Sequence, residues 1–456
     1  MSNYPCSWRG GARQLPHWRL NQKWSAILLV QLVLLLHITD PVKSQSLLDP
    51  LRPYDGPVAS GVDTSTLNGK VLVGYQGWFN CQGDGAELGW THWARHRFRR
   101  FGPGNVTVDL WPDVAEYGDD ALFETGFRLA DGSPAKVFSS FRRSTVLLHF
   151  RWMRQYGIDG AMVQRFANGL HDPKLRHHKD VVLAHAREAA NREGRTYAVM
   201  YDLSGLPTGG VQRVIDDWTM LRKTMEMGSD PAYLHHRGRP LVAVWGVGFN
   251  DDRAYSLGEC RELVEFLKAD GCSVMLGVPT GWRQLDRDAV PDPALHEIIC
   301  LADVVSPWTV GRYRTSTEVL RHRDHVWRGD IVWCRERDID YLPVVFPGFS
   351  WHNLKPDFPL AQIPRRKGEF LWNQFLALES LDAQMVYVAM FDEVDEGTAI
   401  FKCTNNPPVG AEPFLTYEGL PSDHYLWLTG EGGRLLRGER QRTDDLPYRP
   451  SPKHGR

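Results

Sequence analysis

Eight short apolar segments recur along this chain, and helix-length segments separate them. Continuous apolar runs of this length are typical of strands buried on both faces of a sheet. Eight strands in alternation with helices favour an eight-stranded parallel β/α (TIM) barrel over an open doubly wound sheet. The predicted strands are Val71 to Gly77, Ile158 to Arg165, Tyr197 to Asp202, Leu241 to Trp245, Ser273 to Pro279, Val304 to Trp308, Tyr341 to Phe346 and Met385 to Phe391.

Three of the intervening segments carry apolar stripes at the spacing i, i+4, i+7, which predicts helices with one face on the sheet. No glycine-rich phosphate-binding motif follows the first strand, which disfavours a nucleotide-binding fold. The stripes are Val146, Phe150 and Met153; Cys260, Val264 and Leu267; and Leu371, Phe375 and Leu378.

The barrel domain is predicted to span residues 69–437, with a long insertion after its first strand. Within that insertion, Phe123 to Phe138 resembles a hairpin with its turn at Ala130-Asp131-Gly132, and we expect it to cap one side of the barrel mouth. A linker at 45–68 precedes the domain, a short helix is predicted at Asp423 to Leu436, and a polar tail occupies 438–456.

The N-terminus reads as a targeting segment. Basic residues precede the apolar run Ala26 to Ile38, which is shorter than the roughly 20 residues that a membrane span needs. Residues 1–44 are therefore predicted to be a signal peptide, and the mature protein to be secreted or periplasmic. An uncleaved signal anchor is the second interpretation; with cleavage, no stable membrane partner is expected.

Composition excludes some classes of partner. With 53 basic and 55 acidic residues, the formal net charge is -2, and no polycationic face points to nucleic acid. The histidines lack ligand spacing such as HExxH, so neither a metal site nor a cofactor is predicted.

Two features relate to export. Cys81 follows the first predicted strand and Cys403 the last, and a closed barrel would make them neighbours, which permits a disulfide bond. Asn105-Val106-Thr107 is an N-glycosylation sequon.

The ends of the predicted strands carry a coherent set of polar and aromatic residues, and the carboxyl ends of barrel strands form the active face. Tryptophan faces suit sugar rings, because apolar CH groups stack on the ring while the indole N–H still donates. The alternatives are that Trp245 and Trp308 fill space and that Arg165 forms a structural salt bridge. The predicted substrate-binding residues are Tyr75, Gln76, Trp78, Gln164, Arg165, Tyr201, Trp245, Trp282, Trp308, Trp351 and His352.

Carboxylates supply the predicted chemistry. Glycoside hydrolysis commonly uses two carboxyl groups, roughly 5 to 9.5 Å apart. Asp202 ends its strand on the same side as Met200 and Ala198, so it is the first candidate, with Glu393 or Asp392 as its partner. Asp395 and Glu396 are assigned instead to capping the following turn or holding a cation.

Several motifs together resemble proteins with a glycoside hydrolase family 71/99-like domain. They are GYQGWF (74–79), VMYDLSG (199–205), VSPWTVGR (305–312), PGFSW (347–351) and FDEVDEGTAIFK (391–402). The resemblance covers roughly Lys70 to Arg437 and implies a β/α barrel that acts on glycans, in a group with α-glucan and α-mannan hydrolases and many provisional xylosidase/arabinosidase labels. Asp202 is similar to the aspartate that ends this strand in the α-1,3-glucanase branch. The Glu-Pro-Tyr-type motif of the endomannosidase branch is absent here.

The sequence thus predicts an exported glycosidase that acts on a polysaccharide or glycan through a carboxyl pair. A non-catalytic carbohydrate-binding barrel is the main alternative, and a membrane-anchored glycan-processing enzyme is another.

Overall fold

Parallel strands dominate the computed structural model, which describes residues 49–449. The chain forms an eight-stranded parallel β/α barrel with a long insertion after its first strand, as predicted. The barrel strands are β1 (Val71–Tyr75), β4 (Gly160–Phe166), β5 (Thr196–Asp202), β7 (Arg239–Trp245), β8 (Ser273–Val278), β9 (Val304–Pro307), β10 (Asp340–Tyr341) with β11 (Val344–Val345), and β12 (Val386–Val388).

The seventh barrel strand is divided into two pieces. β10 pairs with β9, whereas β11 pairs with β12, and β12 in turn pairs with β1. Pro343 lies at the break and has no N–H to donate, but its carbonyl still accepts a bond of 2.9 Å from Tyr387 N. The chain between β10 and β11 therefore links the two edges of the sheet and completes the barrel.

Helices surround the sheet, and the three predicted stripes lie buried on α1 (Arg143–Gln155), α4 (Leu257–Ala269) and α8 (Glu369–Glu379). Ser256 and Glu259 form a reciprocal capping box that starts α4. The helices are α1 (Arg143–Gln155), α2 (Pro173–Glu193), α3 (Gln212–Met225), α4 (Leu257–Ala269), α5 (Ala294–Ile299), α6 (Ser316–His322), α7 (Arg328–Arg335), α8 (Glu369–Glu379) and α9 (His424–Leu436).

Two short antiparallel pairs complete the structure. The insertion contains the predicted hairpin, formed by β2 (Leu122–Arg128) and β3 (Pro134–Phe138). The two-residue strand β6 (His235–His236) pairs with the start of β7. A π-helical turn at Arg323–Trp327 joins α6 to α7.

Residues on both sides of the barrel domain pack against it. Ala59 N donates to Asn191 O at 2.8 Å, and His235 N donates to Thr64 O at 2.7 Å, so the part of the predicted linker that is described lies along the barrel. At the other end, Trp372 Nε1 donates to Thr443 O at 3.1 Å. The predicted signal peptide lies outside the described residues, and within 49–449 no helix has the length and apolar character to cross a membrane.

The predicted disulfide is wrong, because Cys81 and Cys403 are both free and buried. The insertion supplies a different neighbour for each cysteine. The Cys81 thiol donates to Phe138 O at 3.3 Å, and Cys403 forms an antiparallel bridge with Pro112.

Candidate active site

Strand alternation sorts the predicted site residues into an inner and an outer set. On β4, Gln164 points into the barrel and donates to Tyr387 OH at 3.1 Å. Arg165, the next residue, points outward and is 0% exposed, with ion pairs to Asp217 at 2.6 Å and Asp180 at 2.8 Å. Arg165 therefore forms a structural salt bridge, which was the alternative to substrate binding. Its side chain does not reach the barrel mouth.

Three further predicted residues also lie in the outer layer between strands and helices. Tyr201 donates to Asp217 Oδ2 at 2.7 Å. Tyr75 OH lies 2.9 Å from His149 Nδ1, and the indole of Trp282 donates to a carboxylate on α7 at 3.2 Å. These fully buried side chains stabilise the packing of helices on the barrel, and the prediction that they contact substrate is not supported by their positions.

A cavity of about 530 Å³ opens at the carboxyl ends of the strands, where three of the predicted tryptophans meet. Trp245 ends β7 and Trp308 follows β9, and their rings lie 5.5 Å apart in an edge-to-face arrangement. Gly277 makes room for Trp245, because a Cβ at that position would lie 2.4 Å from its ring. The size suits one or two sugar rings. The wall includes Trp245, Phe249, Arg253, Trp308, Arg314, Trp351 and Glu396.

The last barrel strand leads into the loop 391–400, which carries four acidic residues. Asp392 accepts hydrogen bonds from Gln76 N at 2.8 Å and Gly77 N at 2.9 Å. Burial raises the pKa of Asp392 to about 7. Its carboxyl group thus joins the end of β1 to the loop and has no exposed surface.

Glu393 is held by two side-chain donors. Gln76 Nε2 donates to its Oε1 at 2.6 Å, and Thr398 Oγ1 donates to its Oε2 at 2.6 Å. Burial raises the pKa of Glu393 well above its ordinary value, and the nearby Glu396 and Asp395 raise it further. The two bonds fix the orientation of this carboxyl group at the base of the loop.

Glu396 lines the cavity, in contrast to its predicted role in capping the turn or holding a cation. Burial raises the pKa of Glu396 to about 7, the neighbouring Asp395 carboxylate adds to the rise, and Lys355 opposes it. Gly397 makes the turn that follows, with φ of +63°, and a Cβ there would lie 2.9 Å from the backbone of Ser350. The turn is therefore fixed against the loop that follows β11.

Asp202 lies at the end of β5, two residues after Met200, whose sulfur contacts Gln164 and Tyr387 inside the barrel, so alternation places Asp202 on the same inner side. Its Oδ1 accepts a bond from Ser204 N at 2.7 Å. Burial raises the pKa of Asp202 to about 6, and the hydrogen bonds from Ser204 and then the charge of Arg253 in the cavity wall oppose the rise. The charge of Asp202 also raises the pKa of Glu396, so the two carboxyl groups lie within electrostatic range of each other.

Two remaining predicted residues lie beside the mouth. Trp78 stacks on His92 with ring centroids 3.8 Å apart, and His92 Nδ1 lies 3.0 Å from Asp395 Oδ2. His352 Nδ1 lies 2.6 Å from Phe358 O, so this ring is engaged within its own loop. The carboxyl group of Asp395 therefore contacts His92. Within residues 49–449, no cluster of three or more His, Cys, Asp or Glu residues is placed to hold a metal ion.

Comparison with known proteins supports the fold. No protein-family model matches the sequence, and no curated protein matches it either. A solved structure of a GH99 endo-alpha-mannosidase from Bacteroides thetaiotaomicron is similar with a TM-score of 0.56 at 16% identity, covering 82% of this chain and 99% of that one. A structure named as a glycoside hydrolase-like protein has a TM-score of 0.50 at 12% identity, covering 85% and 98%. This chain therefore shares the β/α-barrel fold of these two structures.

Proposed function

We propose that this protein is a glycoside hydrolase that cleaves a polysaccharide or glycan in the cavity at the barrel mouth. The observation that carries the proposal is the position of the Glu396 carboxyl group in a tryptophan-lined wall, within electrostatic range of Asp202 and Glu393. Cleavage of a glycosidic bond needs surfaces on which sugar rings stack, and carboxyl groups whose different surroundings give them different pKa values. The glycoside hydrolase neighbours with the same fold add support.

In the proposed mechanism, Glu396 is the general acid. A pKa of about 7 leaves this group partly protonated near neutral pH, so it can donate its proton to the glycosidic oxygen as the bond to the sugar breaks. The second carboxyl group is Asp202 or, when it is ionised, Glu393. This carboxylate takes a proton from the attacking water, or it attacks the anomeric carbon and forms an ester that water then hydrolyses. Glu393 is fixed by two donors, whereas Asp202 is held by one.

Asp392 takes a different role in this proposal. Its carboxyl oxygens already accept two backbone N–H groups from the end of β1. We therefore assign Asp392 to holding the loop that carries Glu393 and Glu396, in place of the predicted role as the catalytic partner.

The substrate class follows from the wall of the cavity. Trp245, Trp308 and Trp351 provide flat faces for the CH groups of pyranose rings. The similar structure is an endo-alpha-mannosidase, so α-mannan belongs among the test substrates with α-glucan and xylan. Export through residues 1–44 remains part of the proposal, because it would bring the enzyme to extracellular polysaccharides.

Sugar release from these polymers tests the proposal. We expect Glu396→Gln and Asp202→Asn to lower kcat by about 100-fold or more, since proton transfer by a positioned group contributes on this order. Asp216→Asn, on the exposed face of α3, is the matched control and is expected to keep wild-type activity.

Two results would contradict the assignment. Unchanged turnover in Asp202→Asn would leave Glu393 as the partner of Glu396. Binding without sugar release on every glycan would instead favour the non-catalytic carbohydrate-binding barrel.

A further inference from the structure

The loop from Ala94 to Phe101, here called the arginine loop, concentrates positive charge in the insertion after β1. Within the described part of the chain, no carboxylate lies within 4.0 Å of any of its four guanidinium groups. Neighbouring positive charges repel one another. The net charge of the whole chain is only -2, so this concentration of positive charge is a local feature of the loop. The basic residues of the loop are Arg95, His96, Arg97, Arg99 and Arg100.

The arginine loop also exposes an aromatic ring. Phe98 is 72% exposed, and the Arg97 guanidinium lies 4.8 Å from its ring centroid. An apolar ring beside unpaired cations is a surface that can stack on a sugar while neighbouring charges bind its anionic substituents.

The backbone of the loop is held in place by a buried asparagine. Asn105 Oδ1 accepts from His96 N at 2.8 Å, and its Nδ2 donates to the carbonyls of His96, Arg99 and Arg100 at 3.1 to 3.4 Å. Phe101 anchors the end of the loop by stacking on Trp111 at 5.6 Å. The arginines are therefore presented on a fixed backbone, which reduces the entropy lost when a ligand binds.

The arginine loop adjoins the cavity wall. Arg95 donates to Asn353 O at 2.6 Å and to Leu354 O at 3.2 Å, and the same segment carries Trp351 of the wall. On the wall itself, the Arg314 guanidinium likewise has no carboxylate within 4.0 Å in residues 49–449, while the Arg314 backbone N–H donates to Glu318 Oε2 at 2.6 Å. Guanidinium groups that form no ion pair thus lie both in the cavity wall and beside it, whereas Arg253 of the wall pairs with Asp251.

We propose that the arginine loop binds the carboxylate or sulfate groups of an anionic polysaccharide whose chain enters the cavity. The proposal rests on the proposed function for the choice of a glycan, although the binding itself requires no turnover. Carboxylate and sulfate share the oxygen acceptors that guanidinium groups bind with two parallel hydrogen bonds.

A glycan fits these observations better than other polyanions. Nucleic-acid surfaces are usually broad positive faces, whereas here the charge is confined to one loop beside a cavity. A membrane surface would call for an amphipathic element, and the loop offers one exposed apolar side chain.

Affinity electrophoresis of the full chain tests the proposal. The gels contain heparin as the sulfated polymer, polygalacturonate as the carboxylated polymer, or mannan and dextran as neutral polymers. We expect at least one anionic polymer to retard the wild type, and Arg97→Ser with Arg99→Ser to weaken that binding roughly fivefold or more at low salt. The control, Lys223→Ser with Arg335→Ser, removes the same charge from other exposed sites and is expected to bind as wild type does.

The outcomes separate this proposal from the proposed function. Binding that is lost in the loop variant but retained in Glu396→Gln supports the loop, whether or not any sugar is released. Retardation by neither anionic polymer, or equal loss in the control, would overturn it. Stronger retention on phosphatidylserine vesicles or double-stranded DNA than on either polysaccharide would overturn it too, in favour of a different polyanion.

Discussion

Arg165 illustrates how a residue at a strand end can serve the scaffold. Its guanidinium group lies between Asp180 and Asp217, with no exposed surface. Both acids depend on this cation, because a buried carboxylate without a partner is strongly destabilising. The three side chains join β4 to α2 and α3, which lie behind the barrel wall.

Arg165→Met is expected to lower the free energy of unfolding by about 3–5 kcal/mol, measured by urea denaturation. Arg143→Met is the control, because its ion pair with Glu188 lies at the surface and contributes at most about 1 kcal/mol. Activity per folded molecule should persist in Arg165→Met. A large loss of activity with unchanged stability would return Arg165 to the substrate site.

The sequence could predict which strand residues face the site, because side chains alternate between the two sides of a strand. Alternation places Asp202 and Gln164 inside the barrel, and the same rule assigns Tyr201 and Arg165 to the outside. Glu396 could not be placed in this way, because it follows an irregular turn after β12 where side chains have no fixed period. Its acidic neighbours gave no signal that distinguished it.

At the scale of elements, the loop 391–400 depends on one glycine. Gly397 has φ of +63°, and an added Cβ would meet the Ser350 backbone at 2.9 Å. A side chain would therefore shift the turn beside Glu396. Gly209 has φ of +76° with no atom within 4 Å of an added Cβ, which makes it a matched control.

Gly397→Ala and Gly209→Ala should each lose roughly 1–2 kcal/mol of stability from the positive φ. We expect only Gly397→Ala to lose most of its sugar-releasing activity as well, measured on the best polymer of the panel. Equal activity in both variants would show that the loop tolerates the displacement.

Most elements follow from the sequence, and the seventh strand is the instructive exception. A single strand is predicted at Tyr341 to Phe346, but the structure divides it at Pro343. The division reflects the missing N–H of proline together with the change of partner from β9 to β12. Sequence periodicity reports which residues are buried, and it does not report which neighbour each one bonds to.

For the whole molecule, the mouth concentrates carboxyl groups whose pKa burial raises, to about 6 for Asp202 and about 7 for Asp392 and Glu396. These three groups therefore bind more protons in the folded protein than in the unfolded chain between about pH 4 and 7. The contribution of these groups to stability is complete below about pH 4 and is lost as the pH rises through their folded-state pKa values.

Glu396→Gln removes one such titration. The wild type loses the contribution of Glu396 to stability between pH 5 and pH 8, and the variant has none to lose. The free energy of unfolding of the variant minus that of the wild type should therefore be larger, by about 1 kcal/mol or more, at pH 8 than at pH 5. Urea denaturation at the two pH values measures the difference, with Asp216→Asn as the control. A difference of the opposite sign would mean that the pKa of Glu396 is lowered in the fold.

The Asn105 side chain, which braces the arginine loop, also decides how the protein can be produced. A glycan on Asn105 Nδ2 would replace an N–H that now donates to the loop carbonyls, at a side chain that is 8% exposed. Modification during eukaryotic secretion is thus incompatible with the folded loop. Material from a bacterial host should keep the native loop, and a fully glycosylated preparation should have lost it.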